Sequence, residues 1–204
     1  MNSLRRMIKV GITGGIGAGK STVSKYLEHL SYPVFNSDLV SREILINDKN
    51  VHQEIQKRWG GQVLANGEIN RVEIAKIVFS DEEELNFLNH LLHPKVAIAF
   101  DLFCKARNSS IVFKEAAIMF ESGAYKLMDK VLNVHCDESI RIQRVMSRDK
   151  VSEQEVKNRV ARQWTDNQRK EASDFTIVNN GEDMLIPQIH SVLKSLEDEE
   201  SQNS

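Results

Sequence analysis

Residues 8–22 read IKVGITGGIGAGKST, and this stretch constrains the fold more tightly than any other part of the chain. Gly14 to Ser21 fits G-x-x-x-x-G-K-S/T, the phosphate-cradling loop. Ile8, Val10 and Ile12 alternate before it as a strand requires, and Val23, Tyr26, Leu27 and Leu30 recur after it at helical spacing. Strand, loop and helix therefore arrive in the order that the motif needs. Glycines here let backbone N–H groups turn toward a phosphate that a β-carbon would block. A helix opening at Lys20 adds unpaired N–H groups and the positive end of its dipole. Gly14, Gly15, Gly17, Ala18, Gly19, Lys20, Ser21 and Thr22 are thus the candidate triphosphate cradle. Lys20 is placed to reach the β- and γ-phosphates and Ser21 to ligate Mg²⁺. The bland alternative, a glycine-rich turn that happens to precede Lys-Ser, does not account for the flanking strand and helix.

At 204 residues the chain suits one domain, with room for an insertion. A formal net charge of −2 gives no global attraction to nucleic acid or to an anionic membrane. No apolar run is long enough to span a bilayer. Arg5 and Arg6 lead directly into a strand, without the apolar stretch of a signal peptide. Cys104 and Cys136 match no metal spacing and read as small apolar fillers in a reducing compartment. A soluble cytoplasmic protein is expected, and its oligomeric state is left open.

A second short strand is expected at Val34-Phe35, ending in Asn36-Ser37-Asp38. Polar residues at the carboxyl end of such a strand face the ligand crevice of an open α/β sheet. Residues 39–108 show several helical patterns and no strand, with turns at Gly60-Gly61 and Asn66-Gly67. One helix carries Leu85, Leu88, Leu91 and Leu92, and Pro94 restarts the chain into another. The sheet resumes at Ile111-Val112-Phe113, followed by Lys114 and Glu115. A strand over 131–136 follows a short helix near 121–128. Basic helices over 138–148 and 152–170 precede a last strand over 175–178, which ends in Asn179-Asn180-Gly181. A final amphipathic helix carries Leu185, Ile189, Val192 and Leu196, and residues 197–204 read as a frayed acidic tail. Alternating strands and helices predict a three-layer α/β/α fold around a parallel sheet of five strands, the P-loop architecture.

The loop alone does not separate the classes of P-loop protein. No guanine-reading N/T-K-x-D follows a strand, and the strand near Phe113 ends in Lys-Glu rather than the Asp-Glu of motor ATPases. Arginines concentrate in the last third. Arg141, Arg144 and Arg148 are spaced to share one helix face, with Arg159 and Arg162 on the next helix. Mobile arginines clamp the transferring phosphoryl group in small-molecule kinases, while a solvated basic face is the competing reading.

The combination of GITGGIGAGKST, LLHP, IMFESG, RDKVSEQEVKNRVARQ and ASDFTIVNNG resembles the dephospho-coenzyme A kinase family, from about Met7 to Leu196. The resemblance implies transfer of the ATP γ-phosphate, with Mg²⁺, to the ribose 3′-hydroxyl of dephospho-coenzyme A. It also implies an adenylate-kinase-like core within a single domain over 1–204, a helical substrate-binding insertion at about 39–108 and a helical lid at about 141–170. Neither nucleic acid nor membrane is an expected partner. A kinase acting on another nucleoside or nucleotide, and a non-catalytic ATP-gated regulator, are the alternative functions.

Specific positions depart from the family. Its usual D-x-D at the end of the second strand is Asn36-Ser37-Asp38 here, which leaves Asp38 as the candidate base; the competing role is N-cap of the following helix. The usual D-x-P-L-L-F-E becomes EAAIMFE, so Glu115 stands where the family has aspartate. It is a candidate contact for Mg²⁺ through water, against a strand-end charge facing solvent. Arg148 is the lid arginine that the family pattern implies. Arg159 and Gln163 follow it, with Glu155 and Asp166 as competing structural partners. Asn179 and Gly181 are placed to bring backbone toward adenine, or form an ordinary Asn-Gly turn. His93, before Pro94, reads as a helix-start or packing residue. Glu121 reads as a local cap or brace.

Overall fold

Strand β1, Ile8–Thr13, runs through the middle of a five-stranded parallel sheet. The computed structural model describes residues 7–65, 68–182 and 184–202. Beside β1 lie β5 (Ile111–Glu115) and β6 (Lys130–His135), with β2 (Val34–Asn36) and β7 (Phe175–Val178) at the edges, in the order β2-β5-β1-β6-β7. The register sets Val10 opposite Phe113 on one side and Lys130 on the other. The chain leaves β1 toward β2 at one edge and leaves β6 toward β7 at the other. The direction of winding therefore reverses between these neighbours, which is where open α/β sheets place their ligands.

Both faces of β1 are covered, as its near-continuous apolar sequence requires. Val10 and Ile12 are fully buried in a cluster with Phe113, Leu132, Val134 and Ile177. Val23 and Leu27 of α1 (Lys20–His29) cover that cluster, together with Ile189, Val192, Leu193 and Leu196 of α9 (Leu185–Gln202). On the opposite face Gly11 leaves space for Met119 and Met128, whose side chains lie about 3 Å from where a β-carbon would stand. The two cysteines are buried and unpaired with each other.

Contacts divide the chain into two compact units: Met1–Phe35 with Arg107–Ser204, and Asn36–Ala106. The second unit holds α2 (Ser37–Asn47), α3 (Lys49–Trp59), α4 (Arg71–Ser80) and α5 (Glu82–Lys105). Asn36, Asp48, Asn70 and Asp81 cap these helices, each accepting backbone N–H bonds from its first turn. Val51, Ile55, Trp59, Ile74, Val78, Leu88 and Leu92 form its own core.

Several sequence expectations are corrected. The second unit does contain strands: Leu64–Ala65 (β3) and Glu68–Ile69 (β4) pair antiparallel, too short to show a period of two. The expected turn at Asn66-Gly67, like Arg5 and Arg6, lies outside the described residues. Pro94 does not end a helix; it sits inside the 24-residue α5, so His93 is mid-helix rather than at a helix start. The proline removes one hydrogen bond, to the His90 carbonyl. The buried row Leu88, Leu92, Val96, Phe100 and Cys104 continues through it at every fourth residue, and that packing outweighs the lost bond. The helix expected over 152–170 is two helices, α7 (Glu153–Val160) and α8 (Asp166–Glu171). Thr165 and Gln168 form a capping box that starts α8 afresh.

Residues 197–202 are also helical rather than frayed, because α9 runs to Gln202 and Lys130 pairs with Glu199 at 3.0 Å; the rest of the expected tail, 203–204, lies outside the described residues. The Tyr32 hydroxyl donates to Glu197 Oε1 at 2.6 Å. Burial first, and then this anionic acceptor, push the Tyr32 phenol up to about 12. Above the ordinary phenol value of 10.0 the folded chain keeps a proton that the unfolded chain has lost. This contribution to stability is therefore complete below that value and is lost as pH rises through about 12. Urea unfolding across that window should show a fall in stability that is smaller in Tyr32→Phe; equal slopes in the two proteins would contradict the assignment.

Candidate functional site

The loop between β1 and α1 is hemmed in on its outer side by four other segments. At Gly14 a β-carbon would strike the carbonyl oxygen of Val134 on β6. Gly17 has φ +80°, and a β-carbon there would come within 2.6 Å of the Arg141 carbonyl oxygen and 2.9 Å of Val145 Cγ2. Both contacts come from α6 (Glu138–Asp149), and the positive φ alone disfavours any other residue. Gly15 packs against the Arg141 guanidinium, and Gly19 against the Asn179 side-chain amide. That amide also donates to the Ala18 carbonyl at 2.8 Å. Ile16 places its side chain on the small cluster of Ile142, Val145 and Val156, and its N–H donates to Gln163 Oε1 at 2.8 Å.

With its outer side held, the loop opens onto the start of α1. Gly19, in the left-handed region at φ +95°, is the N-cap, and the first turn of α1 carries no acidic residue. The Lys20 side chain folds back so that Nζ donates to the carbonyls of Gly14 at 2.8 Å and Gly15 at 3.3 Å. Lys20 is almost buried, whereas Ser21 and Thr22 are exposed. A cradle of inward backbone, one fixed ammonium and an exposed hydroxyl at a helix N-terminus fits a triphosphate with a divalent cation. Among the described residues no three His, Cys, Asp or Glu side chains gather as a metal cluster. A cation shared between phosphate oxygens and one hydroxyl needs no such cluster.

The remaining candidates fall in different places. Glu115 ends β5, paired in register with Ile12 two residues before the loop, and is buried, so the reading of it as a solvent-facing charge is wrong. Asp38 belongs to the second unit, in the first turn of α2, exposed. It is not the cap: Asn36 is, accepting from the Leu39 N–H at 2.9 Å. Asn179 follows β7 with its side chain committed to the loop, and Gly181 adopts φ +98°.

Arg148 is largely exposed, and one edge of its guanidinium meets Asp149, Nε to Oδ1 at 2.7 Å and Nη2 to Oδ2 at 3.1 Å. Arg159 Nη1 reaches the same carboxylate at 2.9 Å, so its ion-pair partner is Asp149, while Glu155 is hydrogen-bonded by Ser152 and Asp166 by Arg141 and Arg169. The hydrogen bond from Arg148 holds the Asp149 carboxyl below its ordinary range. Arg141 departs furthest from expectation: it does not share an exposed face with Arg148 but is buried, donating to the Cys136 carbonyl and to Asp166.

Gln163 and Glu121 have sharper roles than sequence reasoning found. Gln163 accepts from Ile16 and donates from Nε2 to the Ala117 carbonyl at 3.0 Å, tying the loop to the segment after β5. Glu121 Oε1 accepts the Trp164 N–H at 2.7 Å, and Trp164 stacks on Phe120 with ring centroids 4.9 Å apart. Gln163→Ala leaves a loop N–H and a carbonyl without these partners and should cost about 1–3 kcal/mol in urea unfolding; an unchanged midpoint would show that the bridge is not formed in solution.

Comparison with known proteins agrees with this geometry. The model of the dephospho-CoA kinase family matches residues 8–184. A dephospho-CoA kinase of Chlorobium chlorochromatii is 39% identical over 180 residues, covering 84% of this chain and 85% of the relative. Another, of Chlorobaculum tepidum, is 37% identical and covers 94% and 96%. Among solved structures, TT1252 from Thermus thermophilus superposes with a TM-score of 0.83 at 29% identity, covering 95% of this chain and 98% of that one. The dephospho-CoA kinase from Campylobacter jejuni shares the fold, with a TM-score of 0.66 at 24% identity over 96% and 98% of the two chains. With its phosphate loop braced as described and its length matched almost throughout, the chain belongs to the dephospho-CoA kinase family.

Proposed function

We propose that this protein transfers the γ-phosphate of ATP to the ribose 3′-hydroxyl of dephospho-coenzyme A, the last step of coenzyme A synthesis. The observation that carries the reading is the braced loop with Lys20 at the mouth of α1, in a chain whose relatives are dephospho-CoA kinases over nearly their whole length. Backbone N–H groups from Gly14 to Thr22 receive the phosphates, and Lys20 neutralises charge that grows on the transferring group. Asn179 and Gly181 border the adenine. Ser21 would hold Mg²⁺ through its hydroxyl and Glu115 would contact it through water, and the ion would supply charge neutralisation for the phosphates.

The acceptor hydroxyl is a weak nucleophile, and Asp38 takes its proton as the new bond forms. The second unit carries that acceptor. Of the segment over 141–170, the exposed part that carries Arg148 and Arg159 acts as the lid, in which Arg148 meets the transferring phosphoryl group, while Arg141 and Asp166 stay fixed against the loop. A cytoplasmic location suits two buried cysteines that form no disulfide with each other. Among the described residues no helix is long and apolar enough to cross a membrane.

A coupled ADP-release assay with dephospho-coenzyme A against a panel of nucleosides and nucleotides tests the reaction. Turnover is expected with dephospho-coenzyme A and should vanish in Lys20→Ala. Turnover only with another acceptor would assign a different kinase, and ATP binding without any turnover would indicate a regulator. Asp38→Asn should lower kcat by ~10²-fold or more if it is the base. A change confined to KM for the acceptor would mean that Asp38 only positions it.

A further inference from the structure

The phosphate-loop motif leaves its second and fourth positions free, yet this chain places glycine at both Gly15 and Gly17. Both face the same residue. The Arg141 guanidinium occupies the space that a β-carbon on Gly15 would need, and the Arg141 carbonyl oxygen lies 2.6 Å from the equivalent point on Gly17. Arg141 is 1% exposed, the largest fully buried side chain among the described residues. Its Nε donates to the Cys136 carbonyl at 2.8 Å, at the end of β6. Its Nη2 meets Asp166 Oδ2 at 2.9 Å in the first turn of α8, with Glu138 further off at 3.8 Å. Asp166 is held in turn by Arg169, which also donates to the Trp164 carbonyl. Nη1, the nitrogen against Gly15, is buried without a hydrogen-bond partner among the described residues.

A buried guanidinium with one unpaired nitrogen is costly, and apolar residues fill such volumes at least as well. Packing alone therefore does not explain an arginine here. Its fork is rigid and anchored at two points on separate elements, so it presents a fixed flat surface against the loop. We propose that Arg141 is a positioning residue for the phosphate loop: clamped by Asp166, it sets the conformation of Gly15 to Gly17 from behind, so that triphosphate affinity depends on a side chain outside the cradle. The inference rests on the loop's being the triphosphate site and deepens that reading by naming what shapes it.

The test is ATP affinity by isothermal titration calorimetry, measured well below the melting temperature of each variant, with thermal stability recorded separately. Arg141→Leu should weaken ATP binding at least about tenfold. KM for ATP should rise while KM for the acceptor holds. Gly15→Ala, whose methyl meets Nη1 with Arg141 intact, should weaken binding similarly and serves as the reading if Arg141→Leu does not fold. In the Arg141→Leu background, where that space is vacated, the same Gly15→Ala step should cost less than about threefold. Wild-type affinity in Arg141→Leu or in Gly15→Ala, or penalties that multiply independently in the double variant, would overturn the brace and leave the loop assignment standing. No ATP binding by the wild type would overturn the loop assignment itself, and the brace with it.

Discussion

The close approach of neighbouring backbone and anchored side chains to the phosphate loop is the constraint on which the rest of this structure depends. Val134, Arg141 and Asn179 come near enough that β-carbons at Gly14, Gly15, Gly17 and Gly19 would collide with them. These neighbours come from β6, α6 and the end of β7, so the loop keeps its shape only if the sheet and the helices beyond it are assembled. A phosphate cradle built from main-chain N–H groups has no side-chain rotamers to order on binding. Its cost is met during folding, by the packing that fixes the loop.

Charge is distributed around the loop on the same plan. Lys20 is held by the carbonyls of Gly14 and Gly15 rather than by solvent, so its ammonium is already in place beside the cradle. Buried Arg141 and Arg169 share Asp166, and Arg148 and Arg159 share Asp149. The two sets differ in exposure. The first is sunk behind the loop, where an unpaired charge would be expensive to keep. The second is largely at the surface, where an ion pair is worth little and can exchange partners. Fixed cations near the loop thus contrast with exposed pairs further along the chain.

The second unit is stabilised differently. Its helices begin with Asn or Asp caps at short connections, and its core is assembled from leucine, isoleucine and valine with Trp59. Trp59 donates its indole N–H to Glu84 at 2.6 Å, and Arg58 pairs with the same carboxylate, so this polar edge of that core is satisfied. Capping also explains the first position of Asn36-Ser37-Asp38. Asparagine and aspartate are near-equal N-caps, so Asn36 keeps the start of α2 intact without a carboxylate.

The local patterns by themselves determined the parallel sheet, the loop between β1 and α1, and most helix starts, because strand alternation, glycine spacing and caps are written within a few residues of where they act. The family, too, was legible from short motifs along most of the chain. What only the tertiary structure decided involves partners far apart in sequence. Pro94 lies inside α5 because a buried row on both sides of it outweighs one missing hydrogen bond. Arg141 and Arg148 share a helix and look alike in sequence, yet one is buried behind the loop and the other is exposed. Gln163 reaches Ile16 across 147 positions. Spacing along a helix reports which side chains share a face, but not what that face meets; burial and pairing are set by the packing of separate elements, and that packing decided where Arg141, Gln163 and Glu115 lie.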